Sequence, residues 1–125
     1  MSYLVRKADI FLKEWIKNAD RYPLIIKGAR QVGKTETIRR FAKKHYKNVI
    51  EINFITDPSY KSIIEEGFSA ESITKIISRI DPSKHFEAGE TLLFFDEIQD
   101  FPEIATSLKF FKEDGRYDVI CSGSL

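Results

Sequence analysis

The stretch that decides the fold of this 125-residue chain is Gly28-Ala29-Arg30-Gln31-Val32-Gly33-Lys34-Thr35. The apolar run before it, Tyr22-Pro23-Leu24-Ile25-Ile26, is typical of a buried parallel strand. Apolar residues at helical spacing follow it, namely Ile38, Phe41, Ala42 and Tyr46. The stretch is therefore predicted to form a loop between a strand and a helix.

The residue types in this loop suit a bound polyphosphate. Glycines at both ends let the backbone turn sharply and bring its N–H groups close to an anion, because a Cβ would obstruct that approach. Lys34 adds a mobile ammonium, and the Thr35 hydroxyl is a ligand for Mg²⁺. The helix that begins near Gly33 directs its unpaired N–H groups and the positive end of its dipole at the same anion. We predict that the phosphates contact Gly28, Ala29, Arg30, Gln31, Val32, Gly33, Lys34, Thr35 and Glu36.

A chance match in a surface loop is the alternative interpretation of this motif. From average residue usage, a random chain of this length contains the pattern about half a percent of the time. The strand before the loop and the helix after it provide the setting that a phosphate-binding loop requires. We therefore favour the functional interpretation.

The composition predicts one folded domain without a membrane segment. The hydrophobic fraction of 42% and the aromatic fraction of 13% are typical of a globular core. Twenty basic and nineteen acidic residues give a net charge of +1, which does not indicate a nucleic-acid partner and does not exclude a local basic patch. Cys121 is the single cysteine, and no apolar run approaches the roughly 20 residues that span a bilayer. We expect a cytoplasmic protein.

Helices and strands are predicted to alternate along the chain. An amphipathic helix is expected over residues 4–18, with an apolar face formed by Ala8, Phe11, Leu12, Trp15 and Ile16. The other strands are expected at 49–55, 91–97 and 117–122. Further helices are expected from a Ser69 cap to Asp81 and from Pro102 to Gly115, with a shorter one over 59–66. This alternation predicts an α/β domain with a mostly parallel sheet.

Two adjacent carboxylates end the most apolar strand. The run Thr91-Leu92-Leu93-Phe94-Phe95 precedes Asp96 and Glu97, and buried acids are costly unless they lie at a ligand-binding edge. In a P-loop enzyme the first acid helps to hold Mg²⁺ together with the threonine hydroxyl. The second orients or deprotonates an attacking water. We therefore predict Thr35 and Asp96 as metal-site residues and Glu97 as catalytic; a solvated strand end or a helix cap is the alternative.

These motifs together resemble the AAA-type ATPase core of prokaryotic ATP-binding proteins, many of which carry a further C-terminal domain of unknown function. The resemblance rests on Gly28–Thr35, on Asp96-Glu97-Ile98-Gln99 with Pro102 soon after, and on Cys121-Ser122-Gly123-Ser124. It implies ATP as the nucleotide, Mg²⁺ as the cofactor and hydrolysis between the β- and γ-phosphates. It also implies a P-loop NTPase-type three-layer sandwich with strand order 1-4-3-2.

The resemblance also implies two further catalytic residues. A polar sensor residue at the end of the fourth strand falls on Ser122, with Ser124 as the less favoured candidate. Asn53, near the end of the second strand, matches a polar residue that holds the catalytic glutamate in check. Ordinary turn chemistry is the alternative role of the two serines.

The chain also departs from the family pattern. Family members usually continue well beyond this point, so we expect residues 1–125 to be one AAA-type domain, with a leading helix in 1–20 and a P-loop core in 21–125, from a longer protein. The resemblance implies that the fifth strand and the helical lid of the family are not contained in residues 1–125, which would leave the first strand as an open edge. Neither Arg79 nor Arg116 has a motif that marks an arginine finger, so none is assigned in this chain. A homo-oligomer or a neighbouring subunit is the candidate source of one.

Two other functions stay open at this point. One is a nucleotide-binding switch or interaction module that does not turn ATP over. The other is a small-molecule kinase, which shares the phosphate-binding loop. The chain has no recognisable acceptor-binding motif or Arg-rich lid, and Asp96-Glu97 suits water activation better than transfer to an alcohol. Binding of Mg-ATP by this chain, with hydrolysis in the intact parent protein, therefore remains the leading interpretation.

Overall fold

A computed structural model of the chain describes residues 3–28 and 33–124. In these ranges the α-helices are α1 (Tyr3–Lys17), α2 (Lys34–His45), α3 (Ala70–Ile80) and α4 (Leu108–Asp114). The strands are β1 (Leu24–Gly28), β2 (Asn48–Asn53), β3 (Thr91–Asp96) and β4 (Asp118–Ser124). Shorter 3₁₀ segments cover Pro58–Ile64, Ile98–Asp100 and Pro102–Ser107.

The four strands form one parallel sheet in the order β1-β4-β3-β2, which confirms the predicted class and strand order. The carboxyl ends of parallel strands lie at the same edge of a sheet. Gly28 at the end of β1 is paired with Ser124, and Asn53 at the end of β2 is paired with Asp96. This carboxyl edge therefore brings together residues that are distant in the sequence.

β3 is the centre of the core, and each of its residues is buried. Leu92 and Phe94 pack with Leu12 of α1 and with the apolar side of α2. Leu93 and Phe95 pack on the opposite face, in a cluster that contains residues of α3 and α4. The sheet thus has helices on both faces, as a three-layer sandwich requires, and its central strand reads as a continuous apolar run for this reason.

The apolar face of α1 differs from the prediction. Leu12 is fully buried and Trp15 packs on Phe41 with ring centroids 6.1 Å apart, but Phe11 is 56% exposed. The assignment of Phe11 to the core was therefore wrong. α1 packs on α2 through the stripe that contains Leu12 and Trp15. The side chain of Phe11, next to Leu12 in the sequence, therefore points away from this contact.

Several element boundaries also differ from the prediction. β1 begins and ends two residues later than expected, and β4 continues to Ser124 instead of ending at Ser122. The helix expected from Pro102 is divided into a 3₁₀ segment and α4. At the junction the Ser107 hydroxyl donates to the Ile104 carbonyl at 2.6 Å, which competes with the helical backbone bonds. Gly115 ends α4 at φ 73°, as expected of a glycine in this position.

Among the described residues, no helix combines the length and the apolar character that are needed to cross a membrane.

Candidate functional site

Asp96, the last residue of β3, is the centre of the carboxyl edge. It is 3% exposed, and its Oδ2 accepts a hydrogen bond from Thr35 Oγ1 at 3.2 Å. Its Oδ1 accepts from the Glu97 N–H at 2.9 Å and from Ser122 Oγ. The fold thus brings Thr35, Asp96 and Ser122 together on one buried carboxylate.

The first turn of α2 faces this carboxylate. Gly33 precedes the helix at φ 105°, a left-handed conformation that glycine adopts without steric cost, and the carbonyl of Gly33 accepts from Thr37 Oγ1 at 2.7 Å. Lys34 Nζ donates to the Gly123 carbonyl at 2.8 Å. The predicted phosphate-binding lysine and the metal-site threonine therefore lie on consecutive positions at the same edge as Asp96.

Glu97 leaves the strand in a strained conformation. Its φ of 59° and ψ of 47° are left-handed, and it is the one non-glycine with positive φ among residues 3–28 and 33–124. Such conformations cost on the order of 1–3 kcal/mol in non-glycine residues and are concentrated at functional sites. The backbone turn places the carboxylate of Glu97 outside β3, where its Oε2 accepts from Gln99 Nε2 at 2.6 Å.

Gln99 connects this turn to the end of β4. Its Oε1 accepts from the Ser124 N–H at 3.0 Å. A Cβ at Gly123 would lie 3.1 Å from Gln99 Oε1 and 3.2 Å from Ile98 Cγ1, so glycine allows the close contact. Gln99 belongs to the Asp96-Glu97-Ile98-Gln99 motif, but the motif alone indicates no role for its side chain. The glycine near the end of an otherwise apolar strand is the signal that points to a close approach there.

The two serines of β4 have different surroundings. Ser122 donates to Asp96 and is fully buried, so its hydroxyl supports the carboxylate. Ser124 lies beside Gly28, and its Oγ is buried without a hydrogen-bond partner among the described residues. Since buried polar atoms are usually paired, this hydroxyl suits an oxygen of a bound ligand. The sensor role of either serine stays a prediction.

Asn53 lies next to Asp96 in the sheet and stabilises a local turn. Its Oδ1 accepts from the N–H groups of Ile55 and Thr56, at 2.8 and 3.1 Å. This oxygen therefore caps the chain reversal after β2. The control of Glu97 by Asn53 stays a prediction.

The sequence profile of the AAA domain family matches residues 20–125 of this chain. The chain belongs to this family. A search of the curated proteins found no match to this AAA domain.

Two solved structures are similar to the AAA domain. One is PCH-2 of C. elegans, with a TM-score of 0.57 and 12% sequence identity over 100% of this chain and 38% of that chain. The other is domain III of the replication initiation protein DnaA from Thermotoga maritima, with a TM-score of 0.57 and 20% identity over 98% of this chain and 52% of that chain. At these identities the likeness shows the fold. Family and fold together place the domain among the nucleotide-binding P-loop proteins.

The oxygen atoms at the centre of the AAA domain's site fit a magnesium ion. Mg²⁺ prefers hard oxygen ligands and is usually bound through one or two protein groups with phosphate and water completing the octahedron. Thr35 Oγ1 and the Asp96 carboxylate are such a pair. Within the described residues no three His, Cys, Asp or Glu side chains converge, so the donor set does not resemble an all-protein metal cage.

The structure describes only some of the other residues that were predicted to contact phosphate. Ala29, Arg30, Gln31 and Val32 lie outside the described residues. Gly28 is the last residue of β1, two residues beyond the predicted end of that strand, and its contact with phosphate stays a prediction. The Glu36 carboxylate accepts from Arg39 Nη1 at 2.5 Å on the exposed side of α2, so its phosphate contact stays a prediction.

Proposed function

We propose that the domain binds ATP with Mg²⁺ at the carboxyl edge and hydrolyses the bond between the β- and γ-phosphates. The observation that carries this proposal is the contact between α2 and β3, where Thr35 Oγ1 lies 3.2 Å from Asp96 Oδ2. A helix N-terminus, a lysine, a hydroxyl and two consecutive acids are the groups that phosphoryl transfer to water needs. Membership of the AAA domain family supports ATP as the nucleotide.

Each of these groups has a separate task in the proposed reaction. The Lys34 ammonium binds phosphate oxygens, to which the N-terminus of α2 adds its backbone N–H groups. Thr35 and Asp96 hold Mg²⁺, which when bound neutralises phosphate charge. Glu97 orients the attacking water or accepts its proton. The Asp96 carboxylate accepts from Thr35, whereas the Glu97 carboxylate, after the left-handed turn, accepts from Gln99. The first acid can therefore bind the metal while the second orients the water.

ATP titration by calorimetry tests the binding step. Loss of a charge-assisted hydrogen bond of about 1.5–3 kcal/mol in Lys34→Ala lowers the affinity about 10- to 100-fold. Lys43→Ala is the matched control, because Lys43 is exposed on the same helix and lies away from the site. Chelation of Mg²⁺ should also weaken binding. Equal affinity in the wild type and in Lys34→Ala would contradict the assignment of the loop.

Phosphate release tests the hydrolytic step. Removal of the general base in Glu97→Gln is expected to lower turnover about 10²- to 10⁴-fold and to leave ATP affinity unchanged. Glu103→Gln, at an exposed glutamate of the following 3₁₀ segment, should match the wild type. ATP binding without any phosphate release by the wild type would favour the switch module instead. A specific activity that rises with protein concentration would support an arginine from a neighbouring copy.

A further inference from the structure

We propose that Gln99 and the peptide group between Gly123 and Ser124 link Lys34 to Glu97, so that the carboxylate of Glu97 responds when Lys34 binds phosphate. This relay rests on the proposed function, because it connects the phosphate-binding lysine with the catalytic acid. Gln99 is in this view a positioning residue.

One peptide group accepts on one side and donates on the other. The Gly123 carbonyl accepts from Lys34 Nζ at 2.8 Å, and the N–H of the same peptide group, which belongs to Ser124, donates to Gln99 Oε1 at 3.0 Å. The C=O and N–H of a trans peptide point in opposite directions. Lys34 and Gln99 therefore contact β4 from opposite sides.

The side-chain amide of Gln99 continues this series of hydrogen bonds from β4 to Glu97. Its Oε1 accepts from β4 while its Nε2 donates to Glu97 Oε2 at 2.6 Å. The series thus runs from the Lys34 ammonium through a peptide and a side-chain amide to the Glu97 carboxylate. A cation at the donor end and an anion at the acceptor end polarise both amides, so that each hydrogen bond strengthens the next.

Phosphate competes with the Gly123 carbonyl for the Lys34 ammonium. A charged phosphate oxygen accepts a stronger hydrogen bond than a neutral carbonyl, so ATP draws the ammonium away from β4. The Ser124 N–H then becomes a weaker donor to Gln99, and Gln99 a weaker donor to Glu97. The hydrogen bond from Gln99 to the Glu97 carboxylate is thereby weakened at the moment when phosphate is bound.

Gly123 supports the relay independently of the hydrogen bonds. A Cβ there would be 3.1 Å from Gln99 Oε1, tighter than ordinary van der Waals contact. Its φ is not in the left-handed region, so the need for glycine is one of space. The packing at this position is therefore shaped to admit the side chain of Gln99.

The side-chain amide of Gln99 is a direct probe of the relay by ¹⁵N NMR. Its signals are assigned by their loss in Gln99→Met, which keeps the length of the side chain and removes both hydrogen bonds. Without nucleotide, Lys34→Ala should shift these signals and Lys43→Ala should not. Unchanged Gln99 signals in Lys34→Ala would overturn the relay whether or not the domain binds ATP.

A titration with a non-hydrolysable ATP analogue and Mg²⁺ tests the coupling. The Gln99 signals should move with the same midpoint as the backbone signals of Lys34 and Thr35. Asp100→Asn, an exposed neighbour in the same 3₁₀ segment, should give the wild-type response. Movement of the backbone signals with stationary Gln99 signals would refute the relay alone. Stationary backbone signals would instead refute the proposed function.

Discussion

Ser122 and Ser124 lie two residues apart on β4, yet their hydroxyls differ in hydrogen bonding. Side chains at this spacing share a face of the strand. Ser122 Oγ donates to the buried carboxylate of Asp96, whereas Ser124 Oγ is buried without a partner in the described part of the chain. At the scale of single residues, the first hydroxyl supports the folded state and the second is available to a ligand.

Alanine at each serine separates these two roles. Ser122→Ala removes a donor from Asp96 and is expected to lower the free energy of unfolding by about 1–3 kcal/mol. Ser124→Ala removes a hydroxyl that has no hydrogen-bond partner among the described residues. It should change the free energy of unfolding by less than about 1 kcal/mol. Urea unfolding followed by the fluorescence of Trp15, the single tryptophan, measures both. Similar losses in the two variants would contradict this distinction.

The sequence predicts most directly the residues whose proposed chemistry depends on local spacing. Lys34 and Thr35 follow from the glycine pattern, and Asp96 follows from its place at the end of an apolar strand. Gln99 received no role because its partner on β4 lies 25 residues away. Contacts between strands depend on register and packing, which cannot be predicted from residue spacing in the sequence. Phe11 was misplaced because an amphipathic pattern does not fix which part of a wide apolar face is covered.

At the scale of elements, Asp118 connects β4 to two other parts of the chain. Its Oδ2 accepts from Arg21 Nε and Nη2 at 3.0 and 2.6 Å and from the Tyr46 hydroxyl. Burial, together with the hydrogen bond to Asp118, raises the pKa of Tyr46 well above its usual value. Because Asp118 begins β4, this cluster lies at the sheet edge opposite the site.

Asp118→Ala should therefore lower stability without affecting the site. It leaves Arg21 and Tyr46 without this acceptor, and we expect a loss of about 1–3 kcal/mol in the free energy of unfolding. Glu113→Ala, at an exposed position of α4, is the control and should be close to neutral. Urea unfolding gives the stability and calorimetry gives the ATP affinity of the folded protein. An Asp118→Ala protein as stable as the control would contradict the role of the cluster.

The order of the elements was more predictable than their ends. Alternating periodicities predicted a parallel α/β sheet, and the family resemblance supplied the order of its strands. The division of the segment after Pro102 was not foreseen. At the junction the Ser107 hydroxyl donates to the Ile104 carbonyl, a contact that helical spacing does not indicate. The extension of β4 to Ser124 depends on pairing with Gly28, which a strand pattern alone does not reveal.

At the scale of the whole molecule, Cys121 reports on the integrity of the core. It lies in β4 and is fully buried, and burial raises the pKa of its thiol from an ordinary value near 9 to about 12. The thiol is therefore protonated and shielded while the domain is folded.

Alkaline pH should weaken the folded state through this thiol. Between pH 9 and pH 12 the unfolded thiol loses its proton while the folded thiol keeps it. The unfolded state then binds fewer protons, so the free energy of unfolding falls as the pH rises. Cys121→Ala should show a smaller fall; Tyr46 and Tyr60, whose pKa values are also raised, contribute to the fall that remains. Urea unfolding at about pH 8 and about pH 10 measures the slope, and equal slopes in the two proteins would contradict the prediction.

The left-handed backbone at Glu97 also bears on any attempt to make this domain more thermostable. The other described residues with positive φ are glycines, namely Gly33, Gly67, Gly89 and Gly115. Glycine at 97 would remove a steric cost of about 1–2 kcal/mol, partly offset by its greater chain entropy in the unfolded state. A laboratory selection for thermostability alone would favour Glu97→Gly, which removes the carboxylate. At this position, therefore, thermostability and the proposed ATP turnover oppose each other.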